Sequence, residues 1–529
     1  MYMNGLHQEY QYRTKAKKMG ASLPAHFSDH PAGIPGFLRL VYNSFKMRLP
    51  EYITQGIEST GVLTFRNQSL FDTDIITVEP ENVKAMLATQ FNDFTIGRRR
   101  PLFLPFLGTG IFSSQGEGWK HTRALLRPQF VRQNIAQLEL IEKHTEKFLN
   151  ICKKKNQQGY FDVKPWLIFL TFDTSSEFLM GTSVNAMDKD DVWNTAASNE
   201  PNNPHRFIQD LQSCVRIVTI RARVGNLYKY INPPWFRKKI QYCQDFVDRF
   251  VRKALRDYDD GKLHGERFVL AEALVKETRD VPYIRDQLFS VLLAGRDTTA
   301  ALLAYSIYRF GMHKQSFYKL RETVLRDFGY TSHTITFESL KKCSYLHHFM
   351  NEVLRLNPVV AMNWRQAERD TLLPRGGGRD ESEPILVPKG TNVHFPQYVI
   401  HRLKKFWGED ANEFRPERWE EGHPHPWEYI PFNGGPRICI GQQFSQTEAA
   451  YVLVRILQNI KDLTVKRHRP DSNEPNVWIQ LLASIEKCEV HFELTDEADI
   501  TDHVARGVTE HPDKVRADFQ AFENRTGRA

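Results

Sequence analysis

The stretch from Pro282 to His313 restricts the fold more than any other part of the chain. It carries no proline beyond its first position, and apolar side chains recur on every face of the helix it predicts. At about 1.5 Å per residue such a helix is roughly 48 Å long. A helix that is apolar all round is stable only when other elements surround it. The chain therefore needs a large, mainly helical body built around one buried rod, and 529 residues can supply it. Arg296 and Asp297 fall at the centre of the stretch, which argues against a membrane span.

Further helices are predicted from Pro80, over 116–158 with a break at Pro128, over 205–260 with a break at Pro233-Pro234, over 338–356 before Pro358, and after Gly441. Strand-like patterns are short: Ile75 to Val78, 385–395 around Pro388-Lys389-Gly390, and two runs between Val477 and Leu494. Arg375 to Gly378 reads as a loop. The fold class is mainly α with a minor β portion. No repeat or linker divides residues 35–494, so one catalytic-sized domain is expected there. Residues 1–34 are basic and punctuated by Pro24 and Pro31, and read as poorly structured. Residues 495–529 hold eight acids and five bases and read as a disordered extension.

Composition removes several classes. With 41% hydrophobic and 25% charged residues the chain is not globally disordered. The net charge of +8 comes from 71 bases and 63 acids, too balanced to indicate a nucleic-acid partner. Six cysteines without a Cys-x-x-Cys pair exclude a disulfide scaffold and a zinc ribbon. The polar, basic start has no apolar core of a secretory signal, and no transmembrane helix is visible.

The strongest local signal is Phe432-Asn433-Gly434-Gly435-Pro436-Arg437-Ile438-Cys439-Ile440-Gly441. Glycines on both sides of Cys439 allow a tight turn and close approach to a flat ligand. A helix starting just beyond points its positive end at the sulfur, favouring the thiolate that ligates metals. Arg437 is placed to pair with a carboxylate on the same ligand, and Phe432 to cover the sulfur. A thiolate, a flat apolar ligand and an acid-binding arginine describe haem iron with a proximal cysteine. A buried structural cysteine is the plain alternative. Five fixed positions, at ~1/20 each, would coincide on the order of once in several thousand such chains, which decides against it.

On these residues the chain resembles the cytochrome P450 family of haem-thiolate monooxygenases. Ala294-Gly295-Arg296-Asp297-Thr298-Thr299 resembles the family's oxygen-activation motif, midway along the long helix. A threonine there can bond the carbonyl of Ala294 four residues back and bend the helix. Glu352 and Arg355 resemble the Glu-x-x-Arg pair, and Phe414 to Trp419 the segment that contributes Arg418 to the same structural network. Trp119 and Arg123, four apart on one helix face, resemble a propionate-binding pair. Arg365 matches another propionate-binding position.

The resemblance implies the cytochrome P450 fold, with haem b held between the long helix and the Cys439 loop. Cys439 would be the metal ligand. Trp119, Arg123, Arg365, Phe432, Gly435, Arg437 and Gly441 would bind the cofactor, and Thr298 and Asp297 would deliver protons. Electrons would come from NADPH through NADPH-cytochrome P450 reductase, since the chain shows no flavin or nicotinamide fingerprint, and Lys120, Arg127 and Arg132 are candidates for its docking face. The substrate would be a hydrophobic small molecule. Segments such as 79–84, 88–94, 116–121 and 373–378 resemble the fungal n-alkane and fatty-acid hydroxylase branch, which implies oxidation near a chain end. Phe289, Leu292, Leu293 and Leu302 are expected to line the pocket, with residues near 108–114 and 206–222. A tailoring oxidase of fungal secondary metabolism is the main alternative. A haem-thiolate isomerase or dehydratase would need no Asp297-Thr298 pair. The family implies the cytosolic face of the endoplasmic reticulum. The sequence itself supports peripheral attachment to a membrane surface by the basic N-terminus and an apolar loop.

Overall fold

In the computed structural model, residues 2–27, 33–69, 72–188, 203–262, 268–422, 424–470, 472–496 and 498–499 are described. The predicted rod is the helix Val281–Met312. Asp280 caps it by accepting a hydrogen bond from the Tyr283 N–H at 3.3 Å, and Pro282 sits in the first turn, where its missing N–H is harmless. Leu288, Leu303, Ile307 and Phe310 are fully buried. Helices Lys164–Met180, Pro234–Asp259, Ser344–Leu356 and Gln442–Asn459 pack against it. The rod is thus covered on several sides, as its apolar circumference requires.

The β portion is small. One sheet runs Ala25–Phe27, Thr64–Ser69, Asp72–Thr77, Asn392–Phe395, Asn363–Ala367, Phe94–Thr95 in spatial order. Arg365 lies opposite Val393 in its antiparallel pair. The two runs around Pro388-Lys389-Gly390 do not form a hairpin. Glu383–Val387 pairs with Thr371–Gly377, whereas Asn392–Phe395 joins the six-stranded sheet, so the turn carries the chain between sheets. Arg375 to Gly377, expected as a loop, belongs to that strand. Here glycine marks close approach: a side chain at Gly376 would lie 2.7 Å from the Thr64 side chain. The stretch 477–494 holds three short strands, not two: Val477–Ile479 and Ala483–Ile485 form a hairpin, and Glu489–Leu494 pairs with Ile460–Val465.

The opening segment, read as poorly structured, contains the helix Tyr2–Lys18. It is tied to the body: the Tyr12 hydroxyl donates to the Leu386 carbonyl at 2.6 Å, Arg66 pairs with Glu9 at 2.8 Å, and Ala16 is buried. Proline punctuation misled the reading because tertiary anchors, not local propensity, hold this helix. The extension from 500 onward lies outside the described residues.

Glu352 and Arg355, three apart on the helix Ser344–Leu356, are both fully buried. Two hydrogen bonds, of 2.7 and 2.8 Å, join them. Arg355 also donates to the carbonyls of His401 (2.9 Å), Ala411 (2.6 Å) and Glu413 (2.9 Å). Glu352 accepts from Arg418 (3.2 Å), the Trp419 indole (3.1 Å) and the Arg415 amide (2.9 Å). Burial pushes the Glu352 carboxyl up, but Arg355 and its other partners outweigh that and hold it below its usual range. Such a network tolerates its own desolvation only while complete. Replacing Arg355 with Ala takes the closest cation from a buried carboxylate and leaves three carbonyls without their donor. The expected loss is about 3–5 kcal/mol of stability, read as a lowered midpoint in urea unfolding.

Candidate active site

The cysteine loop is clamped before the cysteine is reached. The Ile430 amide donates to Nε2 of buried His401 at 2.9 Å, tying the loop to the Arg355 network. Asn433 adopts a left-handed φ of 61°, a conformation asparagine tolerates. Its side-chain oxygen accepts from Asn363 at 2.9 Å and Gln397 at 3.2 Å. Gly435 has φ +66°, and a Cβ there would lie 1.8 Å from the Leu87 carbonyl oxygen. Its lack of a side chain thus serves packing against the helical turn Ala85–Thr89, where the sequence suggested approach to a ligand. The Cys439 amide donates to the Phe432 carbonyl at 3.0 Å, closing the loop. Gly441 then caps the helix Gln442–Asn459.

The Cys439 thiol opens onto a cavity of about 1320 Å³. Burial pushes its pKa up, against the opposing pull of the Gly441 amide and Arg123. The Gly441 amide favours the thiolate, the direction the sequence predicts for the helix start, while desolvation acts the other way. A coordinated metal cation deprotonates a thiol outright.

Among the guanidinium groups that line the same cavity are those of Arg99, Arg123, Arg365 and Arg437. Arg123 donates to the Ile438 carbonyl at 3.0 Å, and Arg437 to the Ser114 carbonyl at 3.1 Å. Arg437 also lies 4.3 Å from the centre of the Trp119 indole. Arg365 donates to the Trp364 carbonyl at 3.0 Å, and its Nε is buried without a partner. Arg99 bonds Asn363 and stacks over Trp364 at 4.6 Å. None of the four pairs with a carboxylate among the described residues. Burial and then their own repulsion pull Arg99 and Arg437 down to about 10, and Arg365 well below its ordinary value. A cluster of buried, mutually repelling cations is a site built for an anion with more than one carboxylate.

On the opposite wall, Thr298 donates to the Ala294 carbonyl at 2.7 Å, the back-bond the sequence predicted. Thr171 of the neighbouring helix donates to the Arg296 carbonyl at 2.8 Å, a second intrusion into the same turn. Gly295 faces Ser175, 2.8 Å from where a Cβ would stand. Asp297 also borders the cavity and accepts from Arg296 Nε at 2.7 Å. Leu293, Leu302, Ile111 and Phe112 line the space as expected. Phe289 and Leu292 are not among the lining residues. Phe289 packs into the core instead, 5.3 Å from the Phe106 ring.

A family model for cytochrome P450 matches residues 64–492. The chain belongs to the cytochrome P450 family. Cytochrome P450 52-E3 of Starmerella bombicola is 41% identical over 470 residues, 86% of this chain and 88% of that protein. Cytochrome P450 52E1 of Candida apicola is 41% identical over 463 residues, 86% of this chain and 88% of its own length. Cytochrome P450 52A12 of Debaryomyces hansenii is 40% identical over 459 residues, 84% and 88% respectively. The fold is the P450 fold, the protein is a monooxygenase, and its cofactor is haem b.

The residues present fit that cofactor. One cavity brings together a thiol, four uncompensated guanidiniums and apolar side chains, which matches a flat ring with two carboxylates and a central iron. Arg99 was missed by the sequence reading. The available signal was Arg98-Arg99-Arg100 at the start of the helix Arg99–Leu107, where the helix dipole disfavours cations.

The clamp at Gly435 makes a sharp expectation. Gly435→Ala should cost about 2–4 kcal/mol, from the positive φ and the collision with backbone. Haem content per polypeptide in the purified variant should fall in parallel with its unfolding midpoint.

Proposed function

We propose that this P450 hydroxylates long aliphatic chains, alkanes or fatty acids, near the chain end, with Cys439 as the iron ligand. The convergence of Cys439 and the four unpaired arginines on one apolar cavity carries the assignment of the cofactor site. Bound haem supplies reductive activation of dioxygen and insertion of one oxygen atom into a C–H bond. The rest falls to the chain. Arg99, Arg123, Arg365 and Arg437, with Trp119, would hold the two propionates. Phe432, which borders the cavity, would cover the sulfur side. Thr298 holds its hydroxyl proton on the Ala294 carbonyl and keeps its lone pairs free to accept another. Asp297, next in sequence and bordering the cavity, would resupply that proton once its contact with Arg296 opens.

The aliphatic reading is supported by the similarity to P450s of subfamily 52 and by the apolar wall of Phe103, Leu107, Ile111, Phe112 and Val291. Electrons would arrive from NADPH-cytochrome P450 reductase. Of its proposed contacts, Lys120 pairs with Glu117 at 2.7 Å and Arg132 pairs with Glu338, both on the surface, while Arg127 is exposed. Surface pairs of this kind are weak enough to exchange partners on docking.

No helix among the described residues is long and apolar enough to cross a membrane. By family resemblance the protein would lie at the cytosolic face of the endoplasmic reticulum, with an apolar surface patch against the lipid. Ile34, Leu38, Tyr42 and Phe45 are exposed at helical spacing on Ile34–Phe45, with Leu227, Tyr230 and Trp235 exposed as well. Such a set of apolar and aromatic side chains suits the lipid interface.

Spectral titration of the haem-loaded enzyme tests the substrate class. Fatty acids and alkanes of increasing length should displace the iron-bound water and shift the spin state in a length-dependent way. Shifts only with polycyclic compounds would move the enzyme to secondary-metabolite tailoring. Cys439→Ala should abolish the thiolate-ligated haem spectrum. Thr298→Ala should keep that spectrum yet divert most NADPH consumption from product to peroxide or water, seen by comparing NADPH used with product formed.

A further inference from the structure

The segment that carries Ile111 and Phe112 to the cavity is pinned to the central helix Val281–Met312. The turn Gly108-Thr109-Gly110 directly precedes it and lies along that helix. The Thr109 amide donates to Oδ2 of Asp286 at 2.7 Å, and the Thr109 hydroxyl donates to the same oxygen at 3.3 Å. Gln287 donates to the Thr109 carbonyl at 3.3 Å. The closeness of this contact requires both glycines. A Cβ at Gly108, whose φ is +55°, would stand 1.8 Å from Oδ2 of Asp286. A Cβ at Gly110 would stand 1.9 Å from Oγ of Ser290, one helical turn further on. Backbone therefore meets the helix at two successive turns with no side chain between.

Asp286 is buried, and its second oxygen is engaged as well. Arg285 donates to Oδ1 from Nε and Nη2 at 3.1 and 2.9 Å, and lies 3.6 Å from Asp248 on the helix Pro234–Asp259. Gln244 of that helix donates to the Phe106 carbonyl at 3.4 Å, just ahead of the turn. The far end of the segment is tied too, where the Ser114 carbonyl accepts from Arg437 of the cysteine loop at 3.1 Å. Ile111 and Phe112 are thus slung between two polar anchors. Both border the cavity, as do Leu107 ahead of the turn and Val291 beside Ser290 on the helix. Asp286 does not border the cavity, so it acts on the space only through this segment. Apolar contacts have no direction and let a stretch of wall slide. A hydrogen bond to a buried carboxylate fixes both distance and direction.

We propose that Asp286 is a positioning residue: by clipping the turn Gly108-Thr109-Gly110 to the central helix it sets where Ile111 and Phe112 stand in the cavity, and so which carbon of an aliphatic chain is presented to the reacting centre. This rests on the aliphatic reading above and adds a reason why a chain end would react. Methyl C–H bonds are stronger than the methylene C–H bonds beside them, so oxidation at a chain end has to be enforced by the shape of the wall. A wall segment free to shift by about 1 Å admits the neighbouring methylene instead.

The test is the product ratio of the haem-loaded enzyme, supplied with NADPH and a cytochrome P450 reductase, on hexadecanoic acid and hexadecane. Wild type is compared with Asp286→Ala, Asp286→Asn, Gly110→Ala and Gln287→Met. Asp286→Ala should lower the ratio of terminal to subterminal alcohol about 10-fold, the factor carried by one hydrogen bond to a charged group. Asp286→Asn keeps an oxygen for the Thr109 amide and should keep most of the ratio. Gly110→Ala forces the segment off the helix and should act as Asp286→Ala does. Loss of stability alone would reduce the amount of product and leave the ratio where it was. Gln287→Met removes only the donor to the Thr109 carbonyl and should lower the ratio about 2- to 5-fold. It decides the question if the larger changes prevent haem uptake. Amide hydrogen exchange over residues 109–114 should rise in the variants whose ratio falls. A wild-type ratio in Asp286→Ala, or in Gln287→Met where only that variant takes up haem, would overturn the proposal. If wild type oxidises neither substrate, the aliphatic reading falls, and exchange decides the clip by itself: a wild-type rate over 109–114 in Asp286→Ala would overturn it.

Discussion

Desolvation of arginines that have no carboxylate partner is the constraint around which this site is organised. Burial first, and then the charge of neighbouring arginines, lowers Arg99, Arg365 and Arg437, and no carboxylate among the described residues relieves them. Left free, such side chains would swing to solvent. They stay because neutral groups hold them: Trp364 and Asn363 hold Arg99, the Trp364 carbonyl holds Arg365, and Ser114 and Trp119 hold Arg437. In the proposed assignment, the desolvation left unmet in the protein would become binding free energy for an anionic cofactor.

The same support reaches the cysteine. Asn363 bonds both Arg99 and Asn433, so the arginine cluster and the cysteine loop share a strut. His401 bonds the loop at Ile430 and, through its carbonyl, Arg355. The Glu352 network behind it contains the residue types of the cradle in the opposite electrical condition. There every guanidinium meets a carboxylate or carbonyls, and the result is rigidity, not affinity for a ligand.

Legibility in the sequence followed the range of the interaction. The central helix, the helix after Gly441 and the Thr298 back-bond were readable because each depends on residues within one or two turns. Trp119, Arg123, Arg365 and Arg437 were found through motif spacing, and the structure brings them to one cavity. Arg99 was not found, because its meaning depends on Asn363 and Trp364, which are distant in sequence and adjacent only across the fold. Glycine was the least reliable guide. Gly376 and Gly435 read as turn and ligand-approach signals, yet Thr64 and the Leu87 backbone dictate them.

The sequence by itself determined the buried rod, the mainly helical class, the cysteine loop and the family, because periodicity and contiguous motifs are local properties. Tertiary structure decided which cations lack a partner. A charge is paired or unpaired only relative to what the fold sets beside it, so Glu352 becomes part of a closed network while Arg99, Arg365 and Arg437 stay open to a ligand.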